Sequence, residues 1–456
     1  MLTKLRMGLT ACMAMLGSAV ALPAMAASPA DPTARQQQLE DIAAFRQQFL
    51  AIDRSYTPRA RHAAERRLSA LERDAGRLRA SAFNVEICRL AALADNGHTT
   101  CYVRGDAAGL SFSSLGGEFY VLRAATAHAD LLGARLLAID GRSMSRVRRT
   151  VRSLAGGVPA HRDLTGASIL SRPGVLHDLG IAHRPEAATY RLQLPDGQVV
   201  ERQLAIESPA DWSSFQPDHE SWASQEPTVP FRWRDAADID AIVIQLRQNM
   251  DRGDRRIAAF LEEADNARAQ LGRRNVVLDM RWNPGGNFLQ TRDFLLGWPQ
   301  RLPEPGRFYV LIGPTTFSAG IASVAYLKQA GGDRVTLIGE PVGDRLMFFA
   351  ENNRPVRLPH SGIVLVPALQ RDDFKDGCRH YDDCLVVLAQ PGAPHGTPPD
   401  KAAELDAVFG RRPLQVSSLA PDVAAPWTMQ TYRAGRDPAM EAIAHAAGAV
   451  SPAAGK

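Results

Sequence analysis

Ser318 has the residue type and the chain position for nucleophilic chemistry. It lies in FYVLIGPTTFSAGIASVAYLKQAGG, residues 308–332, a pattern that predicts a strand, a turn and a helix beginning beside this serine. A serine there either caps the helix by accepting a backbone N–H bond or is a nucleophile on a sharp turn, where the helix N-terminus stabilises an oxyanion. Taken alone, the segment favours the cap.

Two other segments carry groups that a nucleophilic serine needs. VVLDMRWNPGGN, residues 276–287, is an apolar strand that runs into Gly285 and Gly286, whose amides can approach a substrate closely enough to bind an oxyanion. LADNGHTTCYV, residues 93–103, puts His98 on a turn, where it could accept the serine proton. The ordinary alternatives are a plain glycine turn and a surface or capping histidine.

The pattern of apolar and polar residues changes along the chain and divides it into parts. Amphipathic helices come first, then short strands with a predicted helix at Met144–Leu154, and then apolar strands that alternate with helices. The last pattern is typical of an α/β layer with a mostly parallel sheet, which binds ligands at the carboxyl ends of its strands. The predicted parts are a signal peptide (1–26), an N-terminal helical region (27–100), a strand-rich module (101–207), a linker (208–230), an α/β core (231–440) and a tail (441–456).

The N-terminal segment predicts export. Lys4 and Arg6 precede an apolar run and the small-x-small sequence Ala24-Met25-Ala26, which together are typical of a secretory signal peptide cut after Ala26. No later segment is long and apolar enough to span a bilayer. We therefore expect a periplasmic protein without a stable membrane span, with secretion beyond the periplasm left open.

The charge of the chain is nearly balanced, with 53 basic and 49 acidic residues and a net charge of +4. Residues 59–79 are rich in arginine, but these arginines alternate with alanine, leucine and glutamate as on a solvated helix face. We therefore expect no nucleic-acid partner.

The cysteines predict disulfides. Without Cys12, which leaves with the signal peptide, an even number of cysteines remains in a chain bound for an oxidising compartment. They allow three pairings, of which the local one is favoured because its partners are close in sequence. No zinc-type spacing is present, and neither a metal nor an organic cofactor is implied. The expected pairs are Cys88 with Cys101 and Cys378 with Cys384.

Together these segments resemble the tail-specific, or C-terminal-processing, serine peptidase family, in its Ser-His branch with a tricorn-like core. The family pattern D-x-R-x-N-x-G-G is similar to residues 279–286, and T-x-S-A to residues 316–319. D-x-x-H-T is similar to residues 95–99, and G-E-P-x-G to residues 339–343. The motifs keep the family's order, and the resemblance extends from about residue 40 to about residue 440.

The resemblance implies a fold and a set of roles. The fold would be an α/β, ββα crotonase-like peptidase core preceded by a PDZ-like module that captures a chain end or strand. Ser318 would attack a peptide carbonyl and His98 would be its base. The remaining implied roles are oxyanion-hole amides at Gly285, Gly286 and Ala319, and support of the glycine turn by Asp279, Arg281 and Asn283.

The chain departs from the family at the group that assists the base. Ser-Lys members carry a lysine just after the G-E-P turn, whereas this chain has Gly343, Asp344 and Arg345, so His98 is the expected base. The Ser-His branch orients its histidine with a later glutamate, and the matching position here is Gln415. The carboxylates that could replace it are Glu351, which we predict, and Asp382 or Asp383.

We therefore predict a serine endopeptidase that acts on peptides or unfolded protein tails, with its oligomeric state left open. One alternative is a catalytically weakened relative that binds peptides in the cell envelope without cleaving them. Another is acyl-thioester chemistry on a crotonase-like core. It is disfavoured because an exported protein does not meet coenzyme A and because crotonases lack the serine turn.

Overall fold

The structure is a computed structural model that describes residues 31–350, 354–378 and 414–446. The predicted signal peptide lies outside these residues. So do the candidate carboxylates Glu351, Asp382 and Asp383, and Cys384 of the second predicted disulfide.

Three helices form the N-terminal region, and a capping residue followed by proline fixes where two of them begin. Asp31 accepts the N–H of Thr33 at 2.9 Å ahead of Pro32, and Thr57 caps the second helix ahead of Pro58. A π-helical turn continues the first helix, and the apolar faces of all three enclose a core of their own. The helices are α1 (Pro32–Ala44), α2 (Pro58–Asp74) and α3 (Ala80–Ala92).

A seven-stranded sheet follows, with the main order β2-β3-β4-β6-β7, β5 paired to β4 and β8 paired to β3. Its strands are β2 (Leu110–Leu115), β3 (Glu118–Ala125), β4 (Arg135–Ile139), β5 (Arg142–Ser143), β6 (Ala187–Gln193), β7 (Val199–Ala205) and β8 (Trp212–Ser214). The turn between β4 and β5 has positive φ at Asp140 and Gly141. The Asp140 carboxylate also accepts the N–H of Thr189 at 2.7 Å, which ties the turn to β6.

Three helices pack on this sheet. The predicted Met144–Leu154 helix is present as an α-helix that ends in a 3₁₀ turn. The two helices after it are absent from the prediction, because their short segments contain Pro159, Gly166 and Gly174 and read as loop. The helices are α4 (Met144–Val151), α5 (Pro159–Ala167) and α6 (Pro173–Asp178).

The predicted mostly parallel sheet is confirmed as six strands in the order β18-β13-β12-β11-β10-β9, of which only β9 is antiparallel. Every residue of β10 is buried, as its almost continuously apolar sequence predicts, and the one polar residue, Gln245, is buried with the others. The strands are β9 (Phe231–Ala236), β10 (Ala241–Leu246), β11 (Asn275–Asp279), β12 (Phe308–Ile312), β13 (Val335–Gly339) and β18 (Val423–Ala424). The helices are α7 (Ile257–Gln270), α8 (Leu289–Gly297), α9 (Ala319–Gly331), α10 (Met429–Arg433) and α11 (Pro438–Ala446).

Two small sheets connect the N-terminal region to the six-stranded sheet. The first pairs a strand next to His98 with strands far later in the chain, in the order β1-β16-β15. Among the described residues, no helix is both long and apolar enough to cross a membrane. The strands are β1 (Thr100–Cys101), β15 (Val356–Arg357) and β16 (Val364–Val366) in the first sheet, and β14 (Met347–Ala350) and β17 (Gln370–Asp373) in the second.

The register of the parallel strands brings three predicted motifs to one edge of the six-stranded sheet. Asp279 at the end of β11 pairs with Leu311 of β12, and Ile312 pairs with Gly339 at the end of β13. The turns that follow these strands therefore lie side by side. They carry the glycine pair, Ser318 and Glu340.

Candidate functional site

Ser318 lies between β12 and α9 in a conformation that argues against a capping role. Its φ is 52° and its ψ is −124°, and its side chain makes no cap hydrogen bond to the helix. A non-glycine residue at positive φ costs about 1–3 kcal/mol and persists only where its surroundings enforce it. Such a strained strand-to-helix turn is how a nucleophilic serine is presented on α/β folds.

Buried hydrogen bonds around the turn hold Ser318 at this positive φ. Thr316 Oγ1 accepts the N–H of Gly313 at 3.0 Å and donates to the carbonyl of Met280 at 2.8 Å. The Phe317 N–H donates to the carbonyl of Asn283 at 3.0 Å. The turn between β12 and Ser318 is thus tied to the segment after β11, which leaves Ser318 little freedom to relax.

The glycine turn packs directly against Ser318. Gly285 has φ 111°, and a Cβ added to it would lie 2.7 Å from Cβ of Ser318 and 3.0 Å from the backbone nitrogen of Ala319. Both the positive φ and the close approach therefore require glycine. The buried Asn283 holds the turn, because its side chain donates to Asn249 Oδ1 at 2.7 Å and accepts the Gly285 N–H at 2.9 Å.

The backbone amides of this region differ in what they are already bonded to. The Gly285 N–H, one of the predicted oxyanion donors, is taken up by Asn283. Within the described part of the chain, no acceptor bonds the N–H of Gly286 or that of Ala319, the first residue of α9. These two amides can therefore bind an oxyanion, and the helix N-terminus adds partial positive charge.

Asp279 and Arg281 lie behind the glycine turn and form a buried ion cluster. Arg281 Nη2 is 2.9 Å from Asp279 Oδ2 and 2.7 Å from Asp437 Oδ2 at the start of α11. Burial disfavours the guanidinium charge, but the two carboxylates outweigh burial and raise the pKa of Arg281. The cluster links the segment after β11 to the C-terminal helix.

The turn that carries His98 is also anchored by its neighbours. The Asn96 amide bonds both backbone groups of Phe349 in β14, at 2.9 Å each. Thr99 donates to the buried carboxylate of Asp53 at 2.9 Å. The Asn96 side chain thus bonds β14 as a neighbouring strand would, and it fixes the turn just ahead of His98.

The imidazole of His98 is buried between two aromatic rings. Its centroid lies 4.3 Å from that of Phe317 and 4.8 Å from that of Phe348, and both pairs are stacked. Phe317 is the residue that precedes Ser318. The fold therefore brings the two sequence-predicted residues, 220 positions apart, to one place: His98 packs on the nucleophile turn itself.

A carboxylate faces His98, and it comes from a residue that sequence reasoning missed. His98 Nδ1 lies 3.5 Å from Oδ2 of Asp344, whose side chain is 1% exposed. A Cβ added to Gly97 would lie 2.6 Å from the same oxygen, so glycine is needed for this approach. The available signal was the position of Asp344, directly after the G-E-P-x-G turn, where Ser-Lys members of the tail-specific peptidase family carry a lysine. Gln415, the position matched to the family's glutamate, is exposed.

An apolar cavity of about 730 Å³ adjoins this histidine. The predicted disulfide between Cys88 and Cys101 is present, and Cys101 is part of the cavity wall. The bond ties α3 to β1 across the turn that carries His98. Cys378 is buried, and its predicted partner Cys384 lies outside the described residues.

Comparison with known proteins places the fold. The amino-acid sequence matches no protein-family model and no curated protein. The structure is similar to mature CPAF complexed with lactacystin, with a TM-score of 0.55 and 13% identity, covering 91% of this chain and 98% of that chain. Another structure of mature CPAF has a TM-score of 0.52 and 13% identity, covering 91% of this chain and 97% of that chain. CPAF is a tail-specific peptidase. The chain therefore has the fold of the tail-specific serine peptidases, which confirms at the level of fold the resemblance carried by its motifs.

Proposed function

We propose that this protein is an exported serine endopeptidase in which Ser318 is the nucleophile and His98 the general base. The conformation of Ser318 carries the proposal, since the residue is held at φ 52° on a strand-to-helix turn without capping the helix. Strain of this kind collects at functional sites. A glycine turn packed on the same residue and an aromatic stack that joins it to His98 support the assignment.

The chemistry follows from the groups around Ser318. As its Oγ bonds to a peptide carbonyl carbon, the hydroxyl proton passes to Nε2 of His98, and the carbonyl oxygen becomes an oxyanion that accepts the N–H groups of Gly286 and Ala319. When the C–N bond breaks, His98 returns the proton to the leaving amine. Water then hydrolyses the acyl-enzyme by the same steps. Gly285 supports this site through packing, because its own N–H is bonded to Asn283.

We assign to Asp344 the orienting role that sequence reasoning gave to Glu351. A carboxylate facing Nδ1 favours the tautomer with the proton on that nitrogen, which leaves Nε2 to exchange a proton with Ser318. It also stabilises the imidazolium that forms during each step. The Ser318, His98 and Asp344 side chains would then form a triad with an acid from an unusual place in the chain.

We further propose that the seven-stranded sheet is the PDZ-like module predicted from the sequence and that it presents substrate to the core. Strand β2 ends the sheet's main strand order. A groove of about 540 Å³ runs between β2, α5 and the segment 313–315 that leads to Ser318. An extended peptide paired with the free edge of β2 would reach the nucleophile turn along this groove. Peptides and unfolded tails can supply such an extended strand, whereas folded domains cannot.

Two observations support the exported location within this proposal. The first residues of the chain predict a signal peptide. The Cys88–Cys101 disulfide is of a kind that persists in oxidising compartments and is rare in the cytosol. We propose the periplasm as the location, with secretion as the alternative.

The test is labelling of the purified mature protein with a fluorophosphonate probe, followed by mass spectrometry of the modified peptide. We expect wild-type protein to be labelled at Ser318, and Ser318→Ala and His98→Ala to lose the label. Ser417→Ala is the matched control, because Ser417 is exposed and lies outside the site. A folded wild-type protein that takes no label would contradict the proposal and favour a peptide binder that does not cleave.

A further inference from the structure

Helix α5 of the seven-stranded sheet is a wall shared by two cavities. On one side it lines the groove beside strand β2, and on the other it lines the cavity that adjoins His98. Leu164 and Ser168 line both. The helix therefore lies between the proposed peptide groove and the proposed catalytic pair.

The start of α5 contacts both proposed catalytic turns. The ring of His161 stacks on Phe317 with centroids 4.8 Å apart and planes 10° apart, so it touches the residue that precedes Ser318. Just ahead of the helix, a Cβ added to Gly157 would lie 3.1 Å from Cα of Gly97, the residue that precedes His98. The Phe317 ring therefore stacks on both His98 and His161.

Arg162, the next residue of α5, holds the other end of the His98 turn. It forms an ion pair with Asp95, and its Nε donates to the carbonyl of Gly157 at 2.9 Å. Asp95 has φ 53° and is also bonded by Arg345, through its carboxylate at 2.8 Å and its carbonyl at 2.6 Å. Arg345 directly follows Asp344. The turn before His98 is thus fixed between α5 and the segment that supplies the orienting acid.

We propose that His161 and Arg162 are positioning residues that hold the Ser318 turn and the His98 turn in register with each other. The inference rests on the proposed function, because it assumes that these two turns carry the catalytic pair. Two successive residues on one short helix contact both turns, so a displacement of α5 moves both contacts at once. The catalytic pair is then complete only when the seven-stranded sheet is docked with α5 in this place.

Matched variants separate positioning from general stability. His161→Gln loses the ring that stacks on Phe317, whereas His161→Phe keeps a ring in that place. Asp95→Asn tolerates positive φ but loses the charge that pairs with Arg162 and Arg345. The controls are His183→Phe, at a histidine whose side chain is 70% exposed, and Asp130→Asn, which removes an exposed ion pair with Arg202 in the same sheet.

We expect His161→Gln and Asp95→Asn to lower the rate of fluorophosphonate labelling at Ser318 on the order of 10- to 100-fold, since small misplacements are costly in oriented catalysis. His161→Phe should lower it less, because it keeps a ring on Phe317. On unfolded casein, kcat should fall while KM changes little, and both controls should match wild type. Salt up to about 0.5 M should slow labelling of wild type more than of Asp95→Asn, because it screens the exposed ion pairs that the variant lacks.

The outcomes distinguish this inference from the function on which it rests. Labelled wild type together with folded His161 and Asp95 variants that react at the wild-type rate would overturn the positioning role and leave the peptidase proposal intact. If the His161 variants fail to fold, the conservative change at the exposed Asp95 decides alone. Wild type that takes no label under any condition would overturn the proposed function, and this inference with it.

Discussion

His98 Nδ1 lies 3.5 Å from Asp344 Oδ2 although the two residues are 246 positions apart in the chain. The Asp344 carboxylate is buried. It can lie this close to His98 only because Gly97 has no side chain, since a Cβ there would collide with the carboxylate and with the Phe317 ring. In the sequence motif that this chain resembles, Ser-Lys peptidases carry their lysine at the position of Asp344. On the proposed function, this position would supply the acid that orients a histidine in place of the base itself.

Asp344→Asn should lower kcat by about 10³- to 10⁴-fold, because the neutral amide can favour the wrong histidine tautomer and cannot stabilise an imidazolium. The measurement is kcat on unfolded casein together with the thermal midpoint of unfolding. Asp333→Asn, at an exposed aspartate, is the control. An unchanged kcat for folded Asp344→Asn would remove Asp344 from the triad.

Gly285→Ala should abolish most of the activity. The added Cβ would lie 2.7 Å from Cβ of Ser318, so the serine or the glycine turn must move. Gly197→Ala is the matched control, because Gly197 also has positive φ but nothing lies within 4 Å of an added Cβ. Both variants pay the cost of positive φ, about 1–2 kcal/mol. Labelling rates and urea unfolding of the pair separate the two effects, and equal loss of labelling in both would refute a role for the close contact.

Removal of the Cys88–Cys101 disulfide should lower both stability and activity. A loop closed over 13 residues is worth about 3 kcal/mol in the chain-entropy view. The Cys88→Ala/Cys101→Ala double variant should therefore unfold at lower urea concentration. It should also label Ser318 more slowly, because the bond spans the turn that carries His98. A double variant that is less stable but labels at the wild-type rate would confine the disulfide to a structural role.

Stability should fall in mild acid partly through His161. Burial lowers the pKa of His161 from its ordinary value of 6.5, reinforced by His98 and Arg162 and opposed by Asp344 and the Gly97 backbone. In the window below that value the unfolded chain binds more protons at this residue than the folded protein. The contribution of the neutral His161 ring to the free energy of unfolding is therefore complete above this window. It is lost as the pH falls through the window.

The test of that pH effect is the free energy of unfolding in urea at about pH 7.5 and about pH 5.5. His161→Phe cannot take up a proton, so its stability should fall less than that of wild type between the two values. His183→Phe, at an exposed histidine, should behave as wild type does. An equal fall in His161→Phe would show that the acid sensitivity comes from other groups.

Much of the α/β core could be predicted because its strands are mostly apolar runs and its motifs follow them directly. β11 and β12 occur where the sequence predicts strands, and α9 begins at the residue after Ser318, as predicted. Local chemistry was sufficient in these places, because burial on both faces of a parallel strand leaves a clear signal.

Contacts between distant segments could not be predicted in this way. Apart from its place after the G-E-P-x-G turn, Asp344 carries no sign that it faces His98, since that proximity comes from the side-by-side packing of the turns after β12 and β13 and the N-terminal region. α5 was missed because its nine residues include glycine and no capping side chain precedes its first residue, Pro159, and its partners lie in three other parts of the chain. The bonding of the Gly285 amide to Asn283 is an Asx turn that the Asn-Pro-Gly sequence favours, but sequence reasoning counted that amide as an oxyanion donor.

The disulfide beside the His98 turn has a consequence for how the chain matures after synthesis. Thiols stay reduced where the protein is synthesised, and the bond can close only after the chain reaches an oxidising compartment. If the chain is the exported peptidase proposed above, a newly made molecule would carry a loosely held base while it is still in the cytosol. Oxidation would then act as a maturation step that couples the onset of proteolysis to export.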